Sequence, residues 1–239
     1  MNARKELAGK AALVTGASRG IGYAIAERLA ALGASVAICS RNREHLETAA
    51  AQIRADGATI VAFPCDVTRA DALAALARQT TEALGPVDIL VNNAGIGRFG
   101  EFHTLSEVDY DAVLDTNLKS VFLLSREIAT SMIARRSGHI INIASLAGKN
   151  AFPGGGIYCA SKWGLLGLKY CMAEELRAHG IRVAAICPGT VATEFSPHEN
   201  KTASKMLQPS DVAHAVGALL TQAPQSFISE ILLRPTQKP

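Results

Sequence analysis

Short, almost wholly apolar runs alternate along the chain with longer stretches in which apolar residues recur every three or four positions. The first pattern is typical of strands covered on both faces, and the second is typical of amphipathic helices. The predicted strands are Ala11–Thr15, Ser35–Ser40, Ile60–Cys65, Ile89–Asn92, Ile140–Ala144, Val183–Cys187 and Ile228–Leu233. The predicted helices are Gly20–Leu32, Glu44–Ala55, Ala70–Leu84, Glu107–Ala134, Ile157–His179 and Ser210–Leu220. This alternation predicts an α/β fold, with residues 1–239 forming a single doubly wound domain around a mostly parallel seven-stranded sheet.

Two loops that follow predicted strands stand out. Gly148–Gly156 is rich in glycine and proline, and Glu194–Met206 is polar and only weakly periodic. In open α/β sheets the loops after the carboxyl ends of the strands form the ligand crevice. We therefore expect both loops to border a binding site, with the second acting as a small substrate lid.

Composition narrows the class of protein. The 239 residues are 49% hydrophobic and 19% charged, which is enough for one large core. The net charge is only +3 and the basic residues are scattered, so a nucleic-acid groove is not expected. No apolar stretch reaches membrane-spanning length and the first residues lack a targeting pattern. These features predict a cytoplasmic protein without a membrane or nucleic-acid partner.

The cysteines point to core packing rather than to metal binding or disulfides. Their number is five, which is odd, and their spacing matches no metal-ligand motif. Cys39, Cys65 and Cys187 each end an apolar run, so we expect them to be small buried residues in a reducing compartment. No metal site is predicted.

A glycine-rich turn lies between the first predicted strand and the first predicted helix. Its residues are Gly16, Ser18, Arg19, Gly20, Ile21 and Gly22. Glycine lets a backbone turn tightly and approach a pyrophosphate, and the helix N-terminus offers free N–H groups. The spacing is GxxxGxG, and such a turn can also serve packing alone. Its place in a strand–helix–strand unit favours a dinucleotide cofactor in a Rossmann-type fold.

The end of the second predicted strand indicates which dinucleotide is preferred. An NAD site usually has an acid there for the ribose 2′-hydroxyl, whereas this chain has Arg41 and no acid before Glu44. A guanidinium holds a 2′-phosphate, and Arg19 in the glycine loop could reach the same group. The alternative is that both arginines are solvated surface residues. We predict a preference for NADP(H) over NAD(H).

A tyrosine and a lysine one helical turn apart are the candidate catalytic pair. Tyr158 and Lys162 share a helix face, and a nearby ammonium lowers the pKa of a phenol. Ser145 ends the preceding strand and could hydrogen-bond a reacting carbonyl, or it could simply cap a loop. Asn117 lies mid-helix, where asparagine is unfavourable. It indicates a distortion or a water site, or else a tolerated surface residue.

Taken together, these motifs resemble the short-chain dehydrogenase/reductase family, and within it the 3-oxoacyl-thioester reductases. The matching motifs, in chain order, are Thr15-Gly16 to Gly22, Asp66-Val67, Asn92 to Gly95, Asn117, Ser145, Tyr158 with Lys162, and Pro188-Gly189. They span nearly the whole chain. The resemblance implies an NAD(P)-dependent oxidoreductase.

The resemblance also implies a role for each matching position. Besides the glycine loop and Arg41, it implies that three further groups of residues contact the cofactor. These are Asp66 and Val67 at the adenine, Asn93, Ala94 and Gly95 near the adenosine ribose, and Pro188, Gly189, Val191 and Thr193 at the nicotinamide. It makes Tyr158 the catalytic acid/base, beside Ser145. It has Lys162 bind the nicotinamide ribose and tune Tyr158, while Asn117 holds a water that links Lys162 to solvent.

The implied reaction interconverts an oxo group and a secondary alcohol by hydride transfer, as in 3-oxoacyl-thioester or small-carbonyl reductases. An alcohol, polyol or hydroxy-acid dehydrogenase is the alternative, since such a site catalyses both directions. A non-catalytic cofactor-binding regulator is a remote third hypothesis, because such proteins lose the Tyr/Lys pair. The expected partners are a small carbonyl or alcohol substrate and further copies of the chain, in a homotetramer or homodimer. The tail Arg234–Pro239 departs from the family's usual paired-glycine ending.

Overall fold

Seven parallel strands form one sheet in the computed structural model, which describes residues 5–55, 57–195, 203–223 and 225–237. The strands are β1 Ala11–Thr15, β2 Ser35–Ser40, β3 Ile60–Pro64, β4 Ile89–Asn92, β5 Gly138–Ile143, β6 Ile181–Pro188 and β7 Glu230–Leu233. The helices are α1 Gly20–Ala31, α2 Arg43–Arg54, α3 Ala70–Leu84, α4 Glu107–Leu114, α5 Ser120–Arg135, α6 Gly156–Arg177 and α7 Pro209–Leu220. The order in space is β3-β2-β1-β4-β5-β6-β7. The order reverses between β1 and β4, which is where ligands bind in such sheets.

Both faces of the sheet are covered, which explains why its strands are apolar without alternation. Helices α1, α2 and α7 pack on one face through buried residues such as Ile25, Leu46 and Val216. Helices α3, α5 and α6 pack on the other through residues such as Leu73, Leu124 and Ala173. Along β1, Leu13 enters the second core while Val14 enters the first. Each residue of the central strand β1 is therefore buried whichever way it faces.

Local sequence signals set where several helices begin. The side chain of Asn42 accepts a hydrogen bond from the His45 N–H at 2.8 Å and caps α2. Ser106 and Asp109 form a reciprocal capping box at the start of α4. These caps satisfy N–H groups that the first turn of a helix leaves without partners.

The predicted fold class is confirmed, and most predicted boundaries agree with the structure within two residues. The continuous helix predicted over Glu107–Ala134 is wrong, because a π-helical turn at Asp115–Lys119 separates α4 from α5. Strand β7 begins at Glu230 rather than at Ile228. The lid predicted over Glu194–Met206 is described only at its two ends, since residues 196–202 lie outside the described part of the chain.

Two further features of the described residues bear on function. No helix among them is both long enough and apolar enough to cross a bilayer. Within the same residues, no group of three or more His, Cys, Asp or Glu side chains is arranged to hold a metal ion. Cys39, Cys65 and Cys187 are buried, as the apolar runs predicted, and Cys159 is buried with them.

Candidate active site

One open cavity of about 1340 Å³ lies at the carboxyl ends of the strands. Every residue predicted to bind cofactor or to catalyse lines it, with the exception of Asn117. Residues from distant parts of the chain meet here because the carboxyl ends of parallel strands share one edge of the sheet. The cavity exceeds the usual volume of a drug-sized pocket, which leaves room for a dinucleotide and a substrate together.

The glycine loop packs tightly against the loop after β4. Gly16 has φ +65° and Gly20 has φ +58°, values that other residues rarely adopt. A Cβ on Gly22 would stand 2.4 Å from the carbonyl oxygen of Gly16, and one on Gly16 would stand 2.8 Å from the Cα of Ala94. A larger residue at Gly16 or Gly22 would therefore collide with neighbouring backbone. Both glycines line the cavity, in the turn that leads directly into the N-terminus of α1.

Polar contacts hold this loop in place. The side-chain amide of Asn93 donates to the carbonyl oxygens of Thr15 at 2.9 Å and Gly16 at 3.1 Å. The Thr15 hydroxyl oxygen accepts from the N–H groups of Asn93 and Ala94, both at 3.0 Å. Asn93 thus supports the glycine loop directly, while a contact between Asn93 and the adenosine ribose stays a prediction.

The two arginines expected at a 2′-phosphate have different surroundings. Arg41 follows β2, is exposed, and lines the cavity. Together with Arg69 it helps to lower the pKa of Asp66, although the hydrogen bonds from Thr68 contribute more. Arg19 forms an ion pair with Glu194, which lies on the loop after β6. Both partners are well exposed, so solvent screens this pair. The sequence offered no signal for the Arg19–Glu194 contact.

Tyr158 lies in the first turn of α6 with only 8% of its surface exposed. Burial raises its pKa to about 12, and a hydrogen bond with Ser145 opposes this rise. Ser145 Oγ also accepts a hydrogen bond from the Ala147 N–H at 3.0 Å. The same hydroxyl therefore caps a loop and contacts Tyr158. The sequence predicts that Lys162 lowers the pKa of Tyr158. In the structure this pKa is raised instead, because removal of the phenol from water has the larger effect.

Lys162 lies one turn further along α6 and is 4% exposed. Its Nζ donates to the carbonyl oxygen of Ile143 at 2.9 Å and stands 5.8 Å from the centre of the Tyr158 ring. Burial lowers the pKa of Lys162 to about 8. A lysine with this pKa is mostly protonated at neutral pH, yet it loses its proton more readily than an ordinary lysine.

Asn117 lies one layer behind the cavity, in the π-helical turn. Its Oδ1 accepts from the Ile96 N–H at 2.8 Å, and its Nδ2 donates to the Ile96 carbonyl oxygen at 2.9 Å and to Ser161 Oγ at 3.0 Å. The predicted helix distortion is confirmed, since π turns are rare and mark such positions. A water held by Asn117 stays a prediction, because these side-chain hydrogen bonds all go to protein atoms.

The loop after β6 and the C-terminal tail close one side of the cavity. Pro188 ends β6, and the Gly189 N–H donates to the Leu233 carbonyl oxygen at 2.8 Å. A Cβ on Gly189 would stand 3.1 Å from Cδ of Pro235. Tail residues that line the cavity are Arg234, Pro235 and Gln237. Sequence reasoning missed them, since the tail has no motif and reaches the site only because β7 ends beside β6.

Three phenylalanines of the cavity were also missed. Phe99, Phe152 and Phe195 follow β4, β5 and β6 respectively, and all three line the cavity. One signal could have found them. The chain has only seven phenylalanines, and these three lie in loops that follow neighbouring strands of a parallel sheet.

Comparisons with known proteins agree with this arrangement. A family model described as short chain dehydrogenase matches residues 10–204. The chain is 43% identical over 195 residues to Nodulation protein G of Rhizobium sp. (strain N33), covering 82% of this chain and 78% of that protein. It is 36% identical to a 3-oxoacyl-[acyl-carrier-protein] reductase of Synechocystis sp., covering 93% and 94%. A metagenomic short-chain oxidoreductase solved in complex with NADP is 47% identical with a TM-score of 0.87, covering 97% and 100%.

Proposed function

The chain belongs to the short-chain dehydrogenase family, and from that premise we propose that it is an NADP(H)-dependent enzyme that interconverts a ketone and a secondary alcohol. Tyr158 is the general acid in reduction and the general base in oxidation. The substrate is a 3-oxoacyl thioester or a small carbonyl compound. A relative with 36% identity is named as a 3-oxoacyl reductase, which supports this range of substrates.

The contact between Tyr158 and Ser145 is the observation that carries the proposal. Two hydroxyl groups meet at the wall of a cavity whose other end is the glycine loop. Lys162 is buried behind them, and its Nζ donates a hydrogen bond to the main-chain carbonyl oxygen of Ile143. The proton donor Tyr158, the hydrogen-bond donor Ser145 and the cation of Lys162 are therefore in position before any substrate binds. This arrangement stabilises a developing alkoxide.

The cavity fits a nicotinamide dinucleotide. Glycine loop N–H groups and the N-terminus of α1 suit a pyrophosphate, and the first turn of α1 carries no acidic residue that would repel it. Asp66 and Val67 line the cavity on the side of β3, where an adenine would lie beside Arg41. Arg41, with Arg19 released from Glu194, favours a 2′-phosphate and hence NADP(H). A relative with 47% identity was solved with NADP, which supports this preference.

When bound, the reduced nicotinamide supplies a hydride to the carbonyl carbon of the substrate. Tyr158 donates its phenolic proton to the carbonyl oxygen as negative charge develops there, and the Ser145 hydroxyl donates a hydrogen bond to the same oxygen. The Lys162 ammonium, 5.8 Å from the ring centre, stabilises the phenolate that remains. We propose that the phenolate is then reprotonated through Lys162 and a water near Asn117.

The high pKa of Tyr158 keeps its hydroxyl protonated at neutral pH. A phenol with a pKa of about 12 is protonated at neutral pH and ready to donate, whereas its phenolate is scarce. A dehydrogenase that oxidises alcohols would need that phenolate as its base. The hydroxyl of Tyr158 is therefore in the protonation state that a general acid of ketone reduction requires.

We also propose a cytoplasmic location and a homotetramer or homodimer. The described cysteines are all free thiols, which is typical of a reducing compartment. Exposed aromatic side chains on α4, α5 and α6, such as Tyr110, Phe122 and Trp163, offer apolar surface for a second copy of the chain.

A nicotinamide absorbance assay across a panel of ketones and 3-oxoacyl thioesters tests the proposal. We expect loss of NADPH absorbance at 340 nm with at least one ketone, one alcohol formed per NADPH consumed, and slower consumption of NADH. Binding of NADPH without turnover of any carbonyl compound, or of any alcohol with NADP⁺, would leave only a cofactor-binding protein.

A further inference from the structure

Four aromatic rings form a continuous row along the wall of the cavity. In spatial order they are Phe152, Phe99, Tyr158 and Phe195, and we call them the aromatic row. The ring centres of Phe152 and Phe99 lie 6.2 Å apart, those of Phe99 and Tyr158 lie 5.5 Å apart, and those of Tyr158 and Phe195 lie 5.7 Å apart. These separations fall in the range in which aromatic rings attract one another. The row thus places the tyrosine between two phenylalanines.

Two glycines provide space for the phenylalanine rings of the row. A Cβ on Gly97 would stand 2.5 Å from Cε2 of Phe99 and 3.3 Å from Cε1 of Phe195. A Cβ on Gly155 would likewise stand 2.5 Å from Cε2 of Phe152. Both rings lie directly over a glycine, so a larger residue at either position would push the ring away. The rings are placed by the backbone beneath them as well as by each other.

The rings keep uncovered surface in the cavity. Phe99, Phe152 and Phe195 are 40%, 44% and 43% exposed, and each lines the cavity that contains Tyr158. The cavity residues between Ser145 and Tyr158 are Leu146, Ala147, Asn150, Ala151 and Phe152, which carry no charge. Exposed aromatic surface of this size beside a catalytic group is costly in water and favours an apolar ligand.

We propose that the aromatic row is a specificity element and that the enzyme prefers ketones with an aryl group attached to the carbonyl. This inference rests on the proposed function. The aryl ring of such a substrate would extend the row by stacking or edge contact with Phe99 or Phe195, while its carbonyl oxygen meets Tyr158 and Ser145. An aliphatic ring of equal size fills the same space but lacks the aromatic contacts, so the row discriminates between them.

The test compares two ketones of similar size, acetophenone and cyclohexyl methyl ketone, with NADPH as the reductant. The quantity measured is the ratio of their kcat/KM values in the unmodified enzyme and in Phe99→Leu, Phe195→Leu and Gly97→Ala. The different intrinsic reactivities of the two ketones cancel when the ratios of two enzymes are compared. Phe227→Leu is the matched control, because Phe227 lies before β7 at the opposite edge of the sheet and outside this cavity.

We expect the aryl-to-cyclohexyl ratio to fall about two- to tenfold in Phe99→Leu and in Phe195→Leu, mostly through KM for the aryl ketone. Gly97→Ala should shift the ratio in the same direction although every aromatic residue is kept, because its Cβ displaces the Phe99 ring. Phe227→Leu should leave the ratio unchanged. Turnover of the cyclohexyl ketone and thermal melting show that each variant is folded, and Phe195→Leu carries the test if Phe99→Leu does not fold.

Ratios that stay unchanged in both Phe99→Leu and Phe195→Leu, with both ketones still reduced, would overturn the inference and leave the proposed function standing. The inference would also be overturned if the unmodified enzyme preferred the cyclohexyl ketone and these variants did not change that preference. If the unmodified enzyme reduces no ketone of any kind, the proposed function itself fails, and this inference fails with it.

Discussion

Replacement of Arg41 by aspartate should reverse the cofactor preference. The aspartate removes a guanidinium donor, repels a 2′-phosphate, and offers an acceptor to the free 2′-hydroxyl of NAD(H). Arg41 lines the cavity directly after β2 and has no ion-pair partner within 4.0 Å among the described residues. It is therefore available to a phosphate without first breaking a strong contact.

The expected magnitude follows from the surroundings of the two arginines. A charge-assisted hydrogen bond contributes roughly 1.5–3 kcal/mol, but solvent and salt reduce this at exposed positions such as Arg41. Arg19 contributes less, since it must exchange Glu194 for the phosphate. A net advantage of only ~1.4 kcal/mol already gives a tenfold preference. We expect kcat/KM to favour NADPH over NADH by at least about tenfold, and the preference to shrink as salt is raised.

The assay is kcat/KM for both cofactors with one ketone, at low and moderate ionic strength, in the unmodified enzyme, Arg41→Asp and Arg43→Asp. Arg43 is the matched control, because it is exposed, lies two positions away at the start of α2, and does not line the cavity. The same change of charge there should leave the preference almost intact. An unmodified enzyme that prefers NADH, or an equal loss in both variants, would refute the reasoning.

Three other substitutions test separate parts of the account. Lys162→Met should lower kcat at least about a hundredfold and weaken cofactor binding. It should nevertheless keep or raise Tm, because burial disfavours the charged form of the lysine. A variant with a lower Tm and full activity would contradict this prediction. Gly22→Ala should abolish NADPH binding in a titration, since its Cβ would stand 2.4 Å from a backbone oxygen. The Cβ of Gly167→Ala on α6 meets no atom within 4 Å, so this variant should stabilise the protein by up to about 1 kcal/mol in urea unfolding. Equal effects of the two substitutions on NADPH binding and on stability would refute the steric argument. Burial and nearby cations lower the pKa of His139 from 6.5 to about 4. This histidine should therefore cost no stability above pH 6.5 and should lower the free energy of unfolding by at most about 3 kcal/mol as the pH falls to 4. His139→Gln should melt with a weaker pH dependence over that range, and an unchanged dependence would exclude His139 as its source.

The parts of the fold that were predictable from sequence depend on local patterns. β1 reads as a buried strand because Leu13 and Val14 enter opposite cores, and four of its five residues are apolar. The glycine loop was predictable because its backbone packs too closely for side chains at Gly16, against Ala94, and at Gly22, against Gly16 itself. The proximity of Tyr158 and Lys162 was predictable because residues one helical turn apart share a helix face.

The parts that sequence could not supply depend on contacts between distant segments. The mid-helix Asn117 indicated a distortion, but the π turn itself depends on hydrogen bonds to Ile96 and Ser161, neither of which is close to it in sequence. The high pKa of Tyr158 follows from burial that only the assembled cavity creates. The approach of Arg234 to the site requires β7 to pair with β6. The burial of Tyr158 and the approach of Arg234 leave no periodic or motif-like trace in the chain.

Turnover and cofactor affinity of Tyr158→Phe, measured on the same preparation, test the central claim most directly. The phenylalanine keeps the ring between Phe99 and Phe195 and removes only the hydroxyl that meets Ser145. Ketone reduction should fall by at least about 10²-fold while the Kd for NADPH, read from cofactor fluorescence, stays close to that of the unmodified protein. Tyr110→Phe, at an exposed position on α4, should change neither quantity. Near-unmodified kcat in Tyr158→Phe would contradict the assignment of this tyrosine as the proton donor.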